Sequence, residues 1–573
     1  MKAALRLVTS LMLMTTASFA GEGQPDLGPN VLVFGPDDAD VQARIDRIHA
    51  QQERSEFGPG RFALLFKPGD YRADVRVGYY TQVSGLGFHP DEVRIEGAVR
   101  SKADWKKDRN ATINFWRCAE NFSVTPTVEG NVNVWAVSQG TALRRVHVRG
   151  NLHLWDGGWS SGGFMADCRI DGMVDSGTQQ QWLSRNTEWG RWAGSSWNMV
   201  FVGVDRPPEG RWPSPAYTVV ADTPVSREKP FLFIDGSGDY AVFVPAMRTG
   251  PTRGLTWGKG RPPGQAIPLS DFHIAHAGRD TAETINRALA RGQHLLLTPG
   301  IYPLDRPLEV TRDNTVVLGL GYATLHSASG NSLLRVADAA GVILAGLLLE
   351  AGTTEAPVLL EVGPQGAARA TAANPIVLHD IFVRAGSEIA GRVRCMVAVN
   401  SSHTILDNLW LWRADHGPGA GWQKNLNDYG LVVNGHGVTA YALLVEHMQK
   451  YQTLWNGEDG RVYLYQSELP YDPPDQAAWM DGAKRGYSSY KVAGHVRTHE
   501  AWGLGIYSVF HQTPVILDHA VEAPDAPGVK FHHLVTMRLN RQPGSGIARI
   551  VNGEGAPVIT DKQARLDEYP LRR

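Results

Sequence analysis

Three cysteines in 573 residues, Cys118, Cys168 and Cys395, exclude a fold held together by disulfides. One pair, of which Cys118 with Cys168 is a choice, stays open. No CxxC pair and no HExxH occurs, so no zinc or thiol-redox motif is present and no metal or cofactor is expected. Charge of one sign is lacking too. Lys and Arg number 56 against 58 Asp and Glu, for a net charge of −2. That balance removes the basic face a nucleic-acid binder needs. It also disfavours a polyanionic partner, which would call for a basic groove. No run beyond the N-terminus approaches the roughly 18 apolar residues of a membrane span. No amphipathic helix of about ten residues recurs between the apolar segments, which argues against βαβ units.

What is present begins with a targeting segment over residues 1–20. Lys2 and Arg6 supply a positive start, residues 7–14 a mostly apolar core, and Ser18-Phe19-Ala20 a small-x-small cleavage site. The apolar part is too short to span a bilayer, and no Cys follows to carry a lipid. The mature chain is expected to be soluble and secreted or periplasmic.

The rest says one thing twice. Asp37-Asp38-Ala39 leads through Val41 to Ile45 into Lys67-Pro68-Gly69-Asp70-Tyr71, and on to Gly85-Leu86-Gly87-Phe88. Asp280-Thr281-Ala282 leads through a helix-like stretch, 284–290, into Thr298-Pro299-Gly300-Ile301-Tyr302 and Gly319-Leu320-Gly321-Tyr322. Pro299 follows Pro68 by 231 residues, too long a period for a solenoid repeat. It is a duplicated domain start. The expected layout is a first domain over 21–248, a Gly- and Pro-rich linker over 249–270, and a second domain over 271–573.

In the second copy, short segments rich in Val, Ile, Leu and aromatics read as strands. They fall at 315–318, 342–349, 358–362, 376–383, 396–399, 404–412, 429–433, 438–445 and 461–466. Corresponding strands recur every 20 to 30 residues or so, the size of one coil of a parallel β-helix. The fold class expected is all-β: two tandem right-handed parallel β-helices of pectate-lyase-like type, each opened by a short capping helix. A pair of β-sandwiches is the alternative.

The richest chemistry lies between Tyr441 and Pro474. Glu446 and Glu468 are 22 residues apart, about one coil. Neighbouring coils are about 4.8 Å apart. Equivalent positions would bring the two carboxyls together, and close like charges keep one protonated near neutral pH. Two surface glutamates would have the same spacing. Clustered aromatics (Tyr451, Trp455, Tyr463, Tyr465, Tyr471, Trp479) suit either a sugar-binding cleft or core stacking.

Ser467-Glu468-Leu469-Pro470-Tyr471, followed by Pro473-Pro474, resembles the catalytic-acid segment of glycoside hydrolase family 55, the exo-β-1,3-glucanases. That family is built from two tandem right-handed β-helices. The resemblance implies an inverting hydrolase of neutral β-glucan, acting from the chain end. It makes Glu468 the general acid, Glu446 the carboxylate that helps set its pKa, and Tyr471 a neighbour in its hydrogen-bond network. It also implies that polar groups of the first β-helix hold the attacking water. Gln139, with Ser160 or Ser161, stands where such groups are expected, although turn residues there would look the same. Trp410, Trp412, Asp415, His416, Trp455 and Tyr465 are candidate substrate-binding residues. Gly435-His436-Gly437 matches a polygalacturonase tripeptide, but that family's other motifs do not occur. A partner subunit is not required, since capped β-helices stand alone. A β-helix lyase, a hydrolase of another glycan and a non-catalytic carbohydrate-binding adhesin remain alternatives. No clustered Asp supplies a lyase's usual Ca²⁺ site.

Overall fold

The computed structural model describes residues 24–539 and 542–571; the expected signal segment over 1–20 lies outside them. Two parallel β-solenoids pack side by side. In the first, strands Val31–Phe34, Phe62–Phe66, Thr81–Gly85, Arg117–Pro126, Ala142–Val148, Phe164–Ala166, Gln181–Arg185, Asn198–Val202 and Tyr217–Val220 form one parallel ladder. In the second, a ladder runs from Phe272–Ala275 to Gly528–Arg538 and ends in the antiparallel strand Gln563–Tyr569. A second ladder of nine parallel strands, Leu308–Val310 to Gly546–Val551, faces it across the core. Coils in parallel register exclude the sandwich alternative.

The duplication is visible atom by atom. Helices Val41–Gln52 and Ala282–Ala290 each bury one apolar stripe, Val41, Ile45 and Ile48 in the first and Ala282, Ile285 and Leu289 in the second. The Tyr71 hydroxyl lies between the carbonyls of Phe34 (3.0 Å) and Lys67 (2.7 Å). The Tyr302 hydroxyl lies between those of Ala275 (2.8 Å) and Thr298 (2.8 Å). Gly85 and Gly319 are matched as well. A Cβ on either would stand 2.0 Å or 2.4 Å from the carbonyl oxygen of Asn121 or Gly346 on the next coil.

Two expectations change. Residues 249–270 are not bare linker. Arg248–Thr252 pairs with Thr223–Ser226, and Gly264–Pro268 pairs with Tyr240–Pro245, both antiparallel. Gly and Pro there turn the chain without preventing strands at its ends. The segment expected to stop at 318 runs on as Val316–Ser327, through the Gly-Leu-Gly-Tyr motif, because Tyr322 takes a left-handed conformation that bends the strand without ending it. All three cysteines are free.

That bend recurs on each coil. Tyr322, Gly346, Asp380, Asn408, Ala442, Leu464, Gly503 and His533, with φ between 49° and 71°, occupy equivalent positions on successive strands. Each lies where the pairing register skips, by one residue on every strand but the first, so the column is a row of corners. Asn121, Arg145, Asp167, Asn186 and Gly203 form the same column in the first solenoid. A left-handed non-glycine residue costs about 1–2 kcal/mol, and these corners are where the two solenoids meet. Tyr322 donates to the Gly140 carbonyl (2.9 Å), Asn408 to the Thr141 carbonyl (3.0 Å), and Asn198 to the Gly503 carbonyl (2.8 Å). The His533 Nδ1 meets Thr218 Oγ1 at 3.0 Å.

Beneath these contacts lies a buried ionic cluster. Arg144 bonds Asp380 (2.8 Å) and Asp407 (2.8 Å), Arg185 bonds Glu228 (2.6 Å) and Asp407 (3.1 Å), and Lys229 bonds Glu120 (2.9 Å) and Asp380 (3.2 Å). Replacing Arg144 by Met takes one of its two cationic partners from each of two buried carboxylates, leaving Asp380 with Lys229 and Asp407 with Arg185, and is expected to cost about 3–5 kcal/mol. Chemical denaturation measures this; a loss under about 1 kcal/mol would show that the cluster does not hold the solenoids together.

Candidate active site

Glu446 is the last residue of strand Thr439–Glu446, and Glu468 the last of the next strand, Gly460–Glu468. The register pairs Leu443 with Tyr465 and Leu444 with Gln466, which carries the two glutamates onto neighbouring rungs. The backbone N–H of His447 donates to the Glu468 carbonyl at 2.9 Å, in line with that register. Strand ends at a solenoid edge are ordinarily wet. Here the first solenoid covers them, and Glu446 is 3 % exposed.

Glu446 is gripped from both sides. Its Oε1 accepts from Gln139 Nε2 of the first solenoid at 2.9 Å, and its Oε2 from Trp410 Nε1 at 2.9 Å. Burial raises its pKa to about 7, against these donors, which favour the charged form. Glu468 is half-buried. Its carboxyl is held well above the usual carboxylate range, first by burial and then by the charges of Glu446 and Asp415. The Tyr471 hydroxyl donates to Glu468 Oε2. Of the pair, Glu468 therefore keeps its proton to higher pH.

Asp415 follows strand Ile405–Arg413 at the rim. Its Oδ1 lies 2.9 Å from His416 Nδ1 and 3.9 Å from His447 Nε2. Burial works against its ionisation, but the bond from His416 and the two imidazoles bring its pKa down to about 2. His447 Nδ1 donates to the Leu469 carbonyl (3.0 Å), and its ring meets that of Tyr471 edge-on at 4.4 Å. The structure thus brings together Glu446, Glu468, Tyr471, Gln139, Trp410, Asp415 and His416.

Several expected substrate platforms are not at the surface. Trp455 and Tyr465 are fully buried in the core of the second solenoid, so neither can stack on a sugar. Tyr463 and Tyr465 are two positions apart, a spacing that puts side chains of a straight strand on one face. The left-handed corner at Leu464 reverses that, so Tyr463 faces the first solenoid and Tyr465 the interior. Trp410 and Trp412, each 1 % exposed, are packed between the solenoids against Phe115 and Trp116. They form the wall behind Glu446 and not an open platform. Ser161 lends its backbone N–H to Ser138 Oγ (3.0 Å), a turn contact. Ser160 Oγ is buried with no hydrogen-bond partner among the described residues.

The Trp-rich stretch 180–197, which the sequence offers as either a carbohydrate platform or a packed corner, supplies Gln181 and Trp197 here, whereas Trp159 and Tyr507 went unassigned. Trp159, 47 % exposed, lies 6.2 Å from Trp197, which lies 4.9 Å from Tyr507. Tyr507 pairs in register with Glu468 and donates to Gln181 Oε1 at 2.6 Å; Gln181 Nε2 is buried with no partner among the described residues. Trp159 stood beside Ser160 in the sequence, and its exposure needed the fold. Tyr507 carried no signal.

Carboxyls of unequal proton affinity, an aromatic path leading inward from the exposed Trp159 and buried orphan donors make a carbohydrate-hydrolysing site. Comparison with known proteins agrees. A family model described as the LAM55 pectate lyase-like domain matches residues 272–468. An exo-β-1,3-glucanase of Streptomyces sp. (strain SirexAA-E / ActE) is 46 % identical, over 97 % of this chain and 94 % of its own. The chain belongs to glycoside hydrolase family 55. The solved structure of sacteLam55A from Streptomyces sp. SirexAA-E superposes with a TM-score of 0.92 at 46 % identity, covering 96 % of this chain and 100 % of that one. A glutamate-to-alanine variant of sacteLam55A, solved with glucose, also gives 0.92, over 96 % and 99 %.

Replacing Trp410 by Phe keeps a ring in the wall of this family 55 site and removes one donor to Glu446. Losing that donor favours the neutral form, so the Glu446 midpoint moves up from about 7, by roughly one pH unit. Carboxyl ¹³C NMR, assigned with Glu446→Gln, reads the shift; an unchanged midpoint would remove Trp410 from the site.

Proposed function

We propose that the protein hydrolyses β-1,3-glucan from the chain end with inversion at the anomeric carbon, and that Glu468 is the general acid. The observation that carries the reading is the place of Glu468 on the rung next to Glu446, with Tyr471 donating to its Oε2, where burial and nearby negative charge raise its pKa. An acid must hold its proton at working pH and release it to the leaving oxygen in the transition state. Burial and two nearby negative charges supply the first condition, and bond cleavage the second.

Glu446 does not serve as the water-activating base in this scheme. Inverting enzymes place acid and base about 6.5–9.5 Å apart to admit water, whereas adjacent parallel strands lie about 4.8 Å apart. Glu446 keeps the proton on Glu468 and, by accepting from Gln139, fixes the amide that faces the water. Ser160 Oγ and Gln181 Nε2, buried and unpartnered among the described residues, suit that water or a sugar hydroxyl. Trp159 and Trp197 suit stacking on glucose faces. The relatives support the substrate class: one is named an exo-β-1,3-glucanase, and a variant of sacteLam55A was solved with glucose. We take residues 1–20 as a signal peptide and the mature enzyme as a monomer, secreted or periplasmic.

The test is product analysis on laminarin. Glucose alone should appear, first as the α-anomer by ¹H NMR, and Glu468→Gln should lower kcat roughly 10²–10⁴-fold. A ladder of longer products would refute chain-end action, and the β-anomer would refute inversion.

A further inference from the structure

The rim of the site is tied to the first solenoid by a contact that the reaction as described does not use. Glu56 lies in the loop after helix Val41–Gln52. Its Oε1 sits 2.7 Å from His416 Nε2, while His416 Nδ1 sits 2.9 Å from Asp415 Oδ1. Both ring nitrogens therefore face carboxylates. An imidazole can satisfy two acceptors only when both nitrogens carry hydrogen, so His416 is an imidazolium bridging the solenoids. Its ring is boxed by Phe57 and Trp412, each 5.4 Å away.

The loop is held firmly enough to serve as an anchor. Tyr80 donates to the Glu56 carbonyl (2.5 Å) and accepts from Arg384 of the second solenoid (2.6 Å). Arg61 Nε donates to Thr324 Oγ1 (2.7 Å). Beyond His416 the chain of contacts continues inward: Asp415 to His447 at 3.9 Å, His447 to the ring of Tyr471, and Tyr471 to Glu468.

We propose that Glu56, from the first solenoid, is a positioning residue of the active site: through His416 it fixes the Asp415 carboxylate at the rim of the Glu446–Glu468 pair. The inference rests on the hydrolase reading. A free Asp415 would swing toward solvent, and its charge would no longer bear on the acid pair. The charged groups around the link are Asp415 on the same loop, Glu56 across the interface and His447 from the next coil. Behind them stand Glu446, Glu468 and the Arg413–Asp472 pair (2.9 Å), with Arg384 and Glu350 paired beneath Phe57.

The sign of the pH effect follows from the geometry. Against burial, which works the other way, its two carboxylate bonds raise the His416 pKa to about 10. Replacing Glu56 by Gln keeps an acceptor and removes a charge, so His416 should release its proton about 1–3 pH units lower. Above that lowered value Asp415 loses its cationic partner. The variant should then match wild type near pH 5 or so and fall about tenfold in kcat/KM near pH 8, its alkaline limb starting earlier.

Two measurements decide the matter. The first is ¹⁵N NMR of His416 in the wild-type protein, assigned with His416→Gln. Protonation of both nitrogens up to about pH 9 supports the link, and titration near the ordinary value of about 6.5 overturns it, whether or not Glu56→Gln folds. The second is the pH profile of Glu56→Gln on laminarin. An earlier alkaline limb supports the positioning role. A lower melting temperature with an unchanged profile reduces Glu56 to a packing contact and overturns the proposal. Wild-type glucose release, abolished in Glu468→Gln, checks the hydrolase reading separately.

Discussion

The site depends on one constraint: two carboxyl groups at the ends of neighbouring strands are shielded from water by the first solenoid, Glu446 wholly and Glu468 in part. Adjacent rungs of a parallel ladder cannot be moved apart, so two glutamates placed there must share the consequences of proximity. In water those consequences are small. Under the first solenoid they are large. Burial first, with nearby negative charge added, brings Glu446 to about 7 despite the hydrogen bonds donated to it, and the same two causes drive Glu468 higher still. The difference between the two carboxyls comes from their partners. Glu446 receives N–H donors, which stabilise its charge, whereas at Glu468 one phenol donor is outweighed by burial and two nearby negative charges.

The interface that provides this cover is itself built from the corners of the coils. A left-handed residue at the same rung of each coil bends the strand and turns a side chain or a bare carbonyl toward the partner solenoid. The fold accepts the local strain at the six non-glycine corners of the second solenoid because the ladder is paired on either side of each corner. The gain is a face of regular pitch on which Asp380, Asn408 and Gly503 meet Arg144, Thr141 and Asn198. With that ionic and hydrogen-bonded face in place, the aromatic wall of Trp116, Trp410 and Trp412 closes over Glu446.

These levels differ in how they show in the sequence. The duplication and the strand runs were readable, because apolar period-two segments and Pro-Gly turns are local patterns. The pairing of Glu446 with Glu468 was readable from one-coil spacing, and the resemblance to family 55 placed Gln139 where it does touch Glu446. The corners were not readable. Tyr, Asp, Asn, Ala, Leu, Gly and His all occupy that column, so no residue type marks it. Every face assignment past a corner was accordingly unsafe: Tyr465 went inside while Tyr463 stayed at the interface, and Trp410 and Trp412 became wall. Glu56 could not be found from sequence, since it lies 360 positions from its partner His416 and in a loop without a motif.

The same geometry explains why the chain carries the β-helix twice. A single solenoid would offer Glu446 and Glu468 on an open edge, where hydration would return both to ordinary carboxylate behaviour and leave the acid ionised at neutral pH. The second solenoid brings the acid pair and its tyrosine. The first supplies the cover, the amide of Gln139, the buried hydroxyl of Ser160 and the Trp159 surface. Neither half contains a complete site. The halves therefore have to meet in one register, and the ionic cluster of Arg144, Arg185 and Lys229 with four carboxylate-bearing neighbours suits that task better than apolar packing would. An apolar face tolerates sliding, whereas a buried charge displaced from its partner is heavily penalised. Register between the solenoids, set by those charges, is what turns two strand-end glutamates into a proton donor and its tuner.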